Sequence, residues 1–194
     1  MNFLTEMVTQ QLAGSAISQI SNKLGADPNT TGKAVAIAVP LLISALARNS
    51  ATPEGARSLN QAVAQDHDGS ILDNVQGFLR NAEGGDGAGI LSHIFGGQRS
   101  DVENSLAQNT GLDAGAAGQL LATVAPLVMG ALGKTKQDQG LDANGLATFL
   151  GDQHQQAQAA APDIMSMLSG ILDQNKDGSP IDDLGRMAAR FFGR

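Results

Sequence analysis

Two segments of the chain, residues 33–48 and 119–134, are apolar on all sides over about four helical turns each. A helix without a polar face is typically buried, so these two segments are predicted to form the centre of the fold. Each contains a proline, Pro40 or Pro126, which removes a backbone hydrogen bond and should kink or break the helix. No segment alternates Val, Ile and Thr as a strand does. The pattern predicts an all-α, multi-helix bundle of about eight to ten helices.

The two apolar segments belong to a longer internal repeat. When the chain is aligned with itself at a shift of 86 residues, residues 25–49 match 111–135 with eight identical positions. Most of the other aligned positions exchange one apolar residue for another. We therefore predict two pseudo-repeated helical units that share one core.

The boundary between the two units is predicted near residue 83. The segment 83–89 (EGGDGAG) is rich in Gly and Ala around two acids, which is typical of a loop or hinge. Residues 1–82 would then form the first unit and residues 83–194 the second, and the two are able to pack as one domain.

Short polar side chains indicate where helices begin. A side-chain oxygen at such a position accepts from the free N–H groups of the first helical turn. Residues of this kind stand at six predicted starts: Asp27, Thr52, Ser70, Ser100, Asp113 and Ser179. Each of the three serines is followed by an acid three residues later, close to the capping-box pattern.

Composition excludes several classes of protein. With 194 residues, 42% of them apolar and 16% charged, the chain is able to bury a substantial core. The absence of cysteine excludes disulfide scaffolds, thiolate zinc sites, iron–sulfur clusters and cysteine nucleophiles. A formal net charge of -7 argues against a nucleic-acid partner.

Membrane insertion and export are also not expected. The most apolar stretch, residues 34–47, would span about 21 Å as a helix, whereas a bilayer core is about 30 Å thick. Residues 1–14 carry Glu6 and several polar residues in place of the apolar block of a secretory signal. We therefore expect a cytoplasmic protein without a membrane partner.

A calcium site is one functional hypothesis. The segment 173–179 (DQNKDGS) matches the first half of a calcium-binding loop, but Leu184 stands where the bidentate Glu belongs. The candidate ligands are Asp173, Asn175, Asp177, Ser179, Asp182 and Asp183. The alternative is structural, since Asp-Gly forms a turn and Ser179 with Pro180 begins a helix. A related string at residues 66–74 (DHDGSILDN) has the same two interpretations.

Catalysis has weaker support. Two Asp–His pairs, Asp66/His67 and Asp152/His154, lie in matching parts of the repeat, and a hydrolase would need both pairs in one pocket. None of the three histidines, His67, His93 and His154, has a metal-ligand residue four positions later. The chain has no G-x-S-x-G motif and no phosphate-binding loop. No catalytic residue and no cofactor other than the possible calcium ion is predicted.

Two further segments have distinct patterns of polar and apolar residues. The glutamine-rich residues 153–158 are predicted to be a solvated helix or a linker. In residues 184–194 the apolar side chains of Leu184, Met187, Phe191 and Phe192 fit one helical stripe, accompanied by three arginines. Such a stripe usually docks on the core of its own protein and less often on a partner or a membrane surface.

Three segments resemble the YidB-like family of bacterial proteins of unknown function (DUF937). They are residues 90–113 (ILSHIFGGQRSDVENSLAQNTGLD), the apolar helix after them and residues 175–193 (NKDGSPIDDLGRMAARFFG). The resemblance implies an all-helical bacterial protein and supplies no activity and no catalytic residues. The residues themselves favour a non-enzymatic interaction or structural module. Its partner would be an unknown protein or a second copy of the chain.

Overall fold

The structure, a computed structural model, describes residues 3–81 and 85–160. These residues form nine α-helices and no strand: α1 (Phe3–Leu12), α2 (Ser15–Leu24), α3 (Pro28–Asn49), α4 (Pro53–Asp66), α5 (Val75–Asn81), α6 (Gly85–Phe95), α7 (Arg99–Thr110), α8 (Ala114–Gln139) and α9 (Ala143–Ala160). Two short 3₁₀ helices, Ser70–Asn74 and Gly96–Gln98, complete the described part. The predicted all-α fold is confirmed.

Helices α3 and α8 lie at the centre of the molecule, as predicted. They pack against each other, and each also contacts α1, α2, α6 and α7. Val39 of α3 and Leu127 of α8 are both 0% exposed. Both helices extend beyond the predicted limits of 33–48 and 119–134, because each begins directly after its Asp cap and α8 continues through a polar last turn.

The prolines do not break the central helices. Helix α3 continues through Pro40 and α8 through Pro126, so of the predicted kink or break the break does not occur, and the kink stays a prediction. A proline without an N–H leaves the carbonyl group four residues earlier without its helical donor. These carbonyl groups belong to Ala36, which is exposed, and Ala122, which faces Gly87 of α6. The fold therefore accommodates each proline by placing the freed carbonyl against water or a glycine.

Three of the predicted caps are confirmed. Asp27 accepts from the backbone N–H groups of Asn29 (2.9 Å) and Thr30 (3.0 Å) at the start of α3. Asp113 accepts from the N–H of Ala116 (2.9 Å), and the hydroxyl of Thr52 accepts from the N–H of Gly55 (3.1 Å). The hydrogen bonds to the Thr30 side chain and to the Thr30 and Asn29 backbones lower the pKa of Asp27.

Two predicted caps are wrong. Ser70 does not cap the 3₁₀ helix, because the carboxylate of Asp68 accepts from the backbone N–H of Ser70 itself (3.0 Å). Ser100 lies inside α7, where Glu103 pairs with Arg99 (2.6 Å) one helical turn away in place of forming a capping box. The remaining predicted start, Ser179, lies outside the described residues.

The helix boundaries agree with the register of the predicted repeat. The first residues of α3 and α8, Pro28 and Ala114, are the same 86 positions apart as the aligned sequences. Each is preceded by an Asp cap and by a glycine with positive φ, Gly25 (63°) or Gly111 (84°). The duplication and the division into units 1–82 and 83–194 remain predictions. The buried residues of both predicted units form one continuous apolar cluster.

The glycine-rich segment 83–89 is helical over most of its length, so its prediction as a loop is wrong there. Helix α6 begins at Gly85. A Cβ atom on Gly87 would overlap with the carbonyl oxygen of Ala122 in α8. The glycine thus permits close approach of two helices, which the local composition alone does not distinguish from a turn.

Helices α3 and α8 are also long and apolar enough to cross a membrane by length and composition. However, 67% of the most apolar window of α3 and 78% of that of α8 is buried inside the protein. Burial of this extent is typical of core helices.

Candidate functional site

A tight turn at residues 67–69 crosses the surface of α8. The side chain of Gln137 donates to the backbone carbonyl of Asp68 (2.8 Å), and Gly69 adopts a φ of 97°. A Cβ atom on Gly133 of α8 would overlap with the backbone carbonyl oxygen of His67. The turn is therefore held against the backbone of α8 and has little room to move.

The 3₁₀ helix after this turn approaches α8 in the same manner. A Cβ atom on Gly130 would overlap with the side chain of Ile71. Gly130 and Gly133 are three residues apart and so lie on one face of α8. This face leads in the N-terminal direction to Pro126, Thr123 and Ala122, which form the base of a cavity.

The cavity has a volume of about 690 Å³ and lies between α2, the turn, α5 and α8. We call it the Phe78 cavity. Its apolar lining residues are Ile20, Leu24, Ile71, Phe78, Ala122 and Pro126. Leu24, Ile71 and Phe78 are half-buried, so large apolar side chains remain accessible there. Cavities of this size and character are typical of ligand or peptide sites.

Charged and polar groups border the same cavity. Lys23 of α2, Asp66 at the end of α4 and Asp68 in the following turn are among its lining residues. Both carboxylates are exposed. The hydrogen bonds from the side chain and backbone of Ser70 lower the pKa of Asp68, which keeps it ionised. The rim therefore carries two acids beside one base.

A second cavity, of about 790 Å³, lies between the C-terminal end of α3, α4 and α6. Most of its large apolar residues, such as Leu46, Ile94 and Met129, are already buried. Asp66 and His67 line both cavities, because the end of α4 separates them. His93 also lines the second cavity, with Nδ1 bonded to the carbonyl of Gly89 in its own helix (3.0 Å).

The Asp–His pairs do not meet in either of the two cavities described above. His154 contacts the hydroxyl of Ser44 through Nδ1 (3.0 Å), and its Nε2 lies 2.9 Å from the side-chain amide of Gln158. Burial lowers the pKa of His154 below its ordinary value. Neither His154 nor Asp152 lines either of the two cavities, whereas Asp66 and His67 line both. The geometry required for the hydrolase hypothesis is therefore not met in these cavities.

The glutamine-rich segment 153–158 is part of α9, so the helix of the predicted solvated helix or linker is confirmed, but Gln153 is not solvated. This side chain is 4% exposed, and its Oε1 accepts from the backbone N–H of Leu4 (3.1 Å). Gln153 thus satisfies one of the free N–H groups in the first turn of α1. The burial of Gln153 depends on this tertiary contact with α1, which the polarity of the segment does not indicate.

The six candidate calcium ligands between Asp173 and Asp183 lie outside the described residues, as does the apolar stripe of residues 184–194. The related string at 66–74 is described. There Asp68 caps the turn and Asn74 accepts from the N–H of Gly77 (2.9 Å) at the start of α5. Among residues 3–81 and 85–160 no group of three His, Asp or Glu side chains is arranged to hold a metal ion.

The Phe78 cavity is not predictable from local sequence patterns. Its walls come from α2, α5 and α8, which are far apart in the chain, and no local pattern connects Leu24 with Phe78. One signal was present in the sequence. Gly130 and Gly133, spaced by three in an otherwise apolar helix, indicate that another segment approaches that face closely.

The chain matches a known family of bacterial proteins. The family model described as a bacterial protein of unknown function (DUF937) matches residues 6–135, about two thirds of the sequence. The chain belongs to this family. The resemblance noted from the sequence is thereby confirmed at the level of the family. No curated protein and no solved structure matched the chain.

The extent of the DUF937 match bears on the site. The described residues that line the Phe78 cavity all fall between Ile20 and Pro126, inside the matched range. Helix α9, with Gln153 and His154, lies beyond it. The described lining of the cavity thus comes from the DUF937 part of the chain.

Proposed function

We propose that this DUF937 protein is a non-enzymatic interaction module whose binding site is the Phe78 cavity. The observation that carries the proposal is the cluster of half-buried Leu24, Ile71 and Phe78 in one cavity. Among the described residues, Phe3 is the one large apolar side chain that is exposed, and it lies outside this cavity. A partner segment that inserts an apolar side chain would remove these three residues from water, which favours binding.

The rigidity of the cavity supports the same role. Its wall at the 67–71 turn is fixed on α8 by the close approaches at Gly130 and Gly133 and by the Gln137 hydrogen bond. A preformed site loses less conformational entropy on binding than a loose one. The polar rim, with Asp66, Asp68 and Lys23, would orient the partner.

We further propose that the protein acts in the bacterial cytoplasm. Both helices that are long enough to span a membrane bury most of their apolar surface inside the protein. Fractionation of host cells with the full-length protein tests this: recovery in the membrane pellet after a high-salt wash would contradict it.

The binding site is tested by partner capture from the native host with matched variants of the full chain. Phe78→Lys places a charge in the cavity, and Phe78→Leu keeps it apolar. Phe149 is half-buried on α9 and lines neither cavity, so Phe149→Lys is a control for general destabilisation. Thermal unfolding of each variant confirms that it is folded before capture.

We expect a defined set of proteins to be captured by the wild type, Phe78→Leu and Phe149→Lys and to be lost with Phe78→Lys. A set that is equally retained by Phe78→Lys would show that the cavity is not the site. Loss with both lysine variants would assign the effect to stability and would count against the cavity as well.

A further inference from the structure

The apolar stripe of residues 184–194 has no role in the function proposed above, and the Phe78 cavity has no occupant in the described part of the chain. We propose that residues 184–194 of the same chain dock into the Phe78 cavity and compete there with the external partner. The inference rests on the proposed function, because it takes the Phe78 cavity to be a protein-binding site.

The apolar residues of the segment match the character of the cavity. Leu184, Met187 and Phe191 follow one another at intervals of three and four, which places them on one face of a helix, with Phe192 beside them. The cavity presents Leu24, Ile71 and Phe78 as half-buried partners. Aromatic side chains bury a large apolar area each, and aromatic pairs gain a further contribution from their ring geometry.

The charges are complementary. Residues 184–194 contain three arginines and no acid, whereas residues 1–160 contain fourteen Asp and Glu against eight Lys and Arg. Asp66 and Asp68 stand exposed on the rim of the Phe78 cavity, with Lys23 as the single lysine or arginine among its described lining residues. Arginines placed next to an apolar anchor would therefore meet a rim of net negative charge.

The length of the connection permits this docking. Helix α9 is described as far as Ala160, and 23 residues, 161–183, separate this point from Leu184. At about 3.3 Å per residue, this connection spans up to roughly 75 Å. A folded chain of this size has a radius of gyration of only about 16 Å. A tethered segment that reaches its site has an effective concentration on the order of millimolar, so a modest intrinsic affinity is sufficient.

Disulfide trapping in the full chain tests the proposal, because the protein has no cysteine of its own. Ser70 is exposed on the wall of the Phe78 cavity, and Gly193 follows the Phe pair. The test variant is Ser70→Cys with Gly193→Cys. The matched control is Ser100→Cys with Gly193→Cys, since Ser100 is exposed on α7 and lines neither cavity. Closure is followed in a glutathione buffer by mass spectrometry.

We expect the test pair to close within one chain at least about tenfold faster than the control pair, since docking raises the effective thiol concentration. Adding Phe191→Asp and Phe192→Asp should reduce the rate to that of the control. Asn81→Cys, also on the cavity wall, serves if Ser70→Cys does not fold. Equal rates for test and control would overturn the proposal.

Other occupants give different results. Faster formation of a disulfide-linked dimer, with a rate that falls on dilution, would assign the cavity to a second copy of the chain and overturn docking within one chain. Equal closure rates together with partner loss in Phe78→Lys would reject the docked segment and leave the proposed function intact. Fast closure with no Phe78-dependent partner would reject the external partner and leave the docked segment.

Discussion

The two central helices have similar sequences and different neighbours. Both α3 and α8 begin after an Asp cap, continue through a proline and bury their middle turns completely. Helix α8 meets other segments through backbone contacts at Gly130 and Gly133. Helix α3 has no glycine in its buried middle and contacts α9 through the hydrogen bond between Ser44 and His154. In these two helices the apolar pattern determines burial. The glycines and the polar residue within that pattern determine which segment packs on each face.

The largest expected effect concerns the aligned leucines at the centre of each helix. Leu41 is 1% exposed and Leu127 is 0% exposed, and the two are identical positions of the predicted repeat. Leu41→Ala and Leu127→Ala should each lower the free energy of unfolding by about 2–5 kcal/mol, because each leaves a cavity in a packed core. Urea denaturation followed by circular dichroism measures both. If either variant lost less than about 1 kcal/mol, that helix would not be central.

A glycine comparison separates the two helices. Gly133→Ala should lower the free energy of unfolding by about 1–3 kcal/mol, because the new Cβ overlaps with the backbone oxygen of His67. Gly32→Ala in α3 meets no atom within 4 Å and should raise it by about 0.5–1 kcal/mol through helix propensity. Denaturation midpoints of the two variants check the sign of each effect. A stabilising Gly133→Ala would contradict close packing of the 67–69 turn.

The helix caps test whether the two starts are equivalent. Asp113→Ala removes the acceptor for the N–H of Ala116 and should cost about 1 kcal/mol. Asp27→Ala should also destabilise, since Asp27 accepts from two N–H groups. The lowered pKa of Asp27 gives this contribution a pH dependence: it is present above about pH 4 and is lost as the pH falls through the lowered value. Thermal unfolding at pH 7 and pH 3 compares the stability of each variant with that of the wild type. If Asp27→Ala lost the same stability at both pH values, the ionised carboxylate would not be the cap.

The smallest expected effect belongs to His154 on the α3 side. Burial lowers its pKa, so the folded protein favours the neutral ring, with Nδ1 bonded to Ser44. This contribution to stability is complete above the ordinary histidine pKa of about 6.5 and is lost as the pH falls through the lowered value. His154→Gln should flatten the decline in melting temperature between pH 7 and pH 5. His93→Gln, whose ring is exposed, is the control and should leave the decline unchanged.

Much of the fold was predictable from local sequence. The absence of strand patterns, the two apolar segments and the caps Asp27, Thr52 and Asp113 are all local features, and the structure confirms them. Segment 83–89 was mispredicted because glycine serves equally in a turn and in a close helix contact. Gln153 was misjudged because its partner, the N–H of Leu4, lies 149 residues away in the chain.

The candidate site was less predictable than the fold. Asp66, His67 and Asp68 were singled out as a metal or catalytic string, and the structure shows Asp68 as a cap and Asp66 as part of a cavity rim. Leu24 and Phe78 had no signal of their own, because a half-buried apolar residue in an amphipathic helix looks like any other core residue.

The sequence by itself determined the helical class, the burial of α3 and α8 and the chemistry of their first turns, because periodicity and capping depend on residues within a few positions of one another. Only the tertiary structure decided which faces meet. Three features depend on atoms brought together from distant parts of the chain. They are the contact of the 67–69 turn with Gly133, the hydrogen bond of Gln153 to α1, and the Phe78 cavity. Such contacts follow from the shape of the packed helices, which no short stretch of sequence contains.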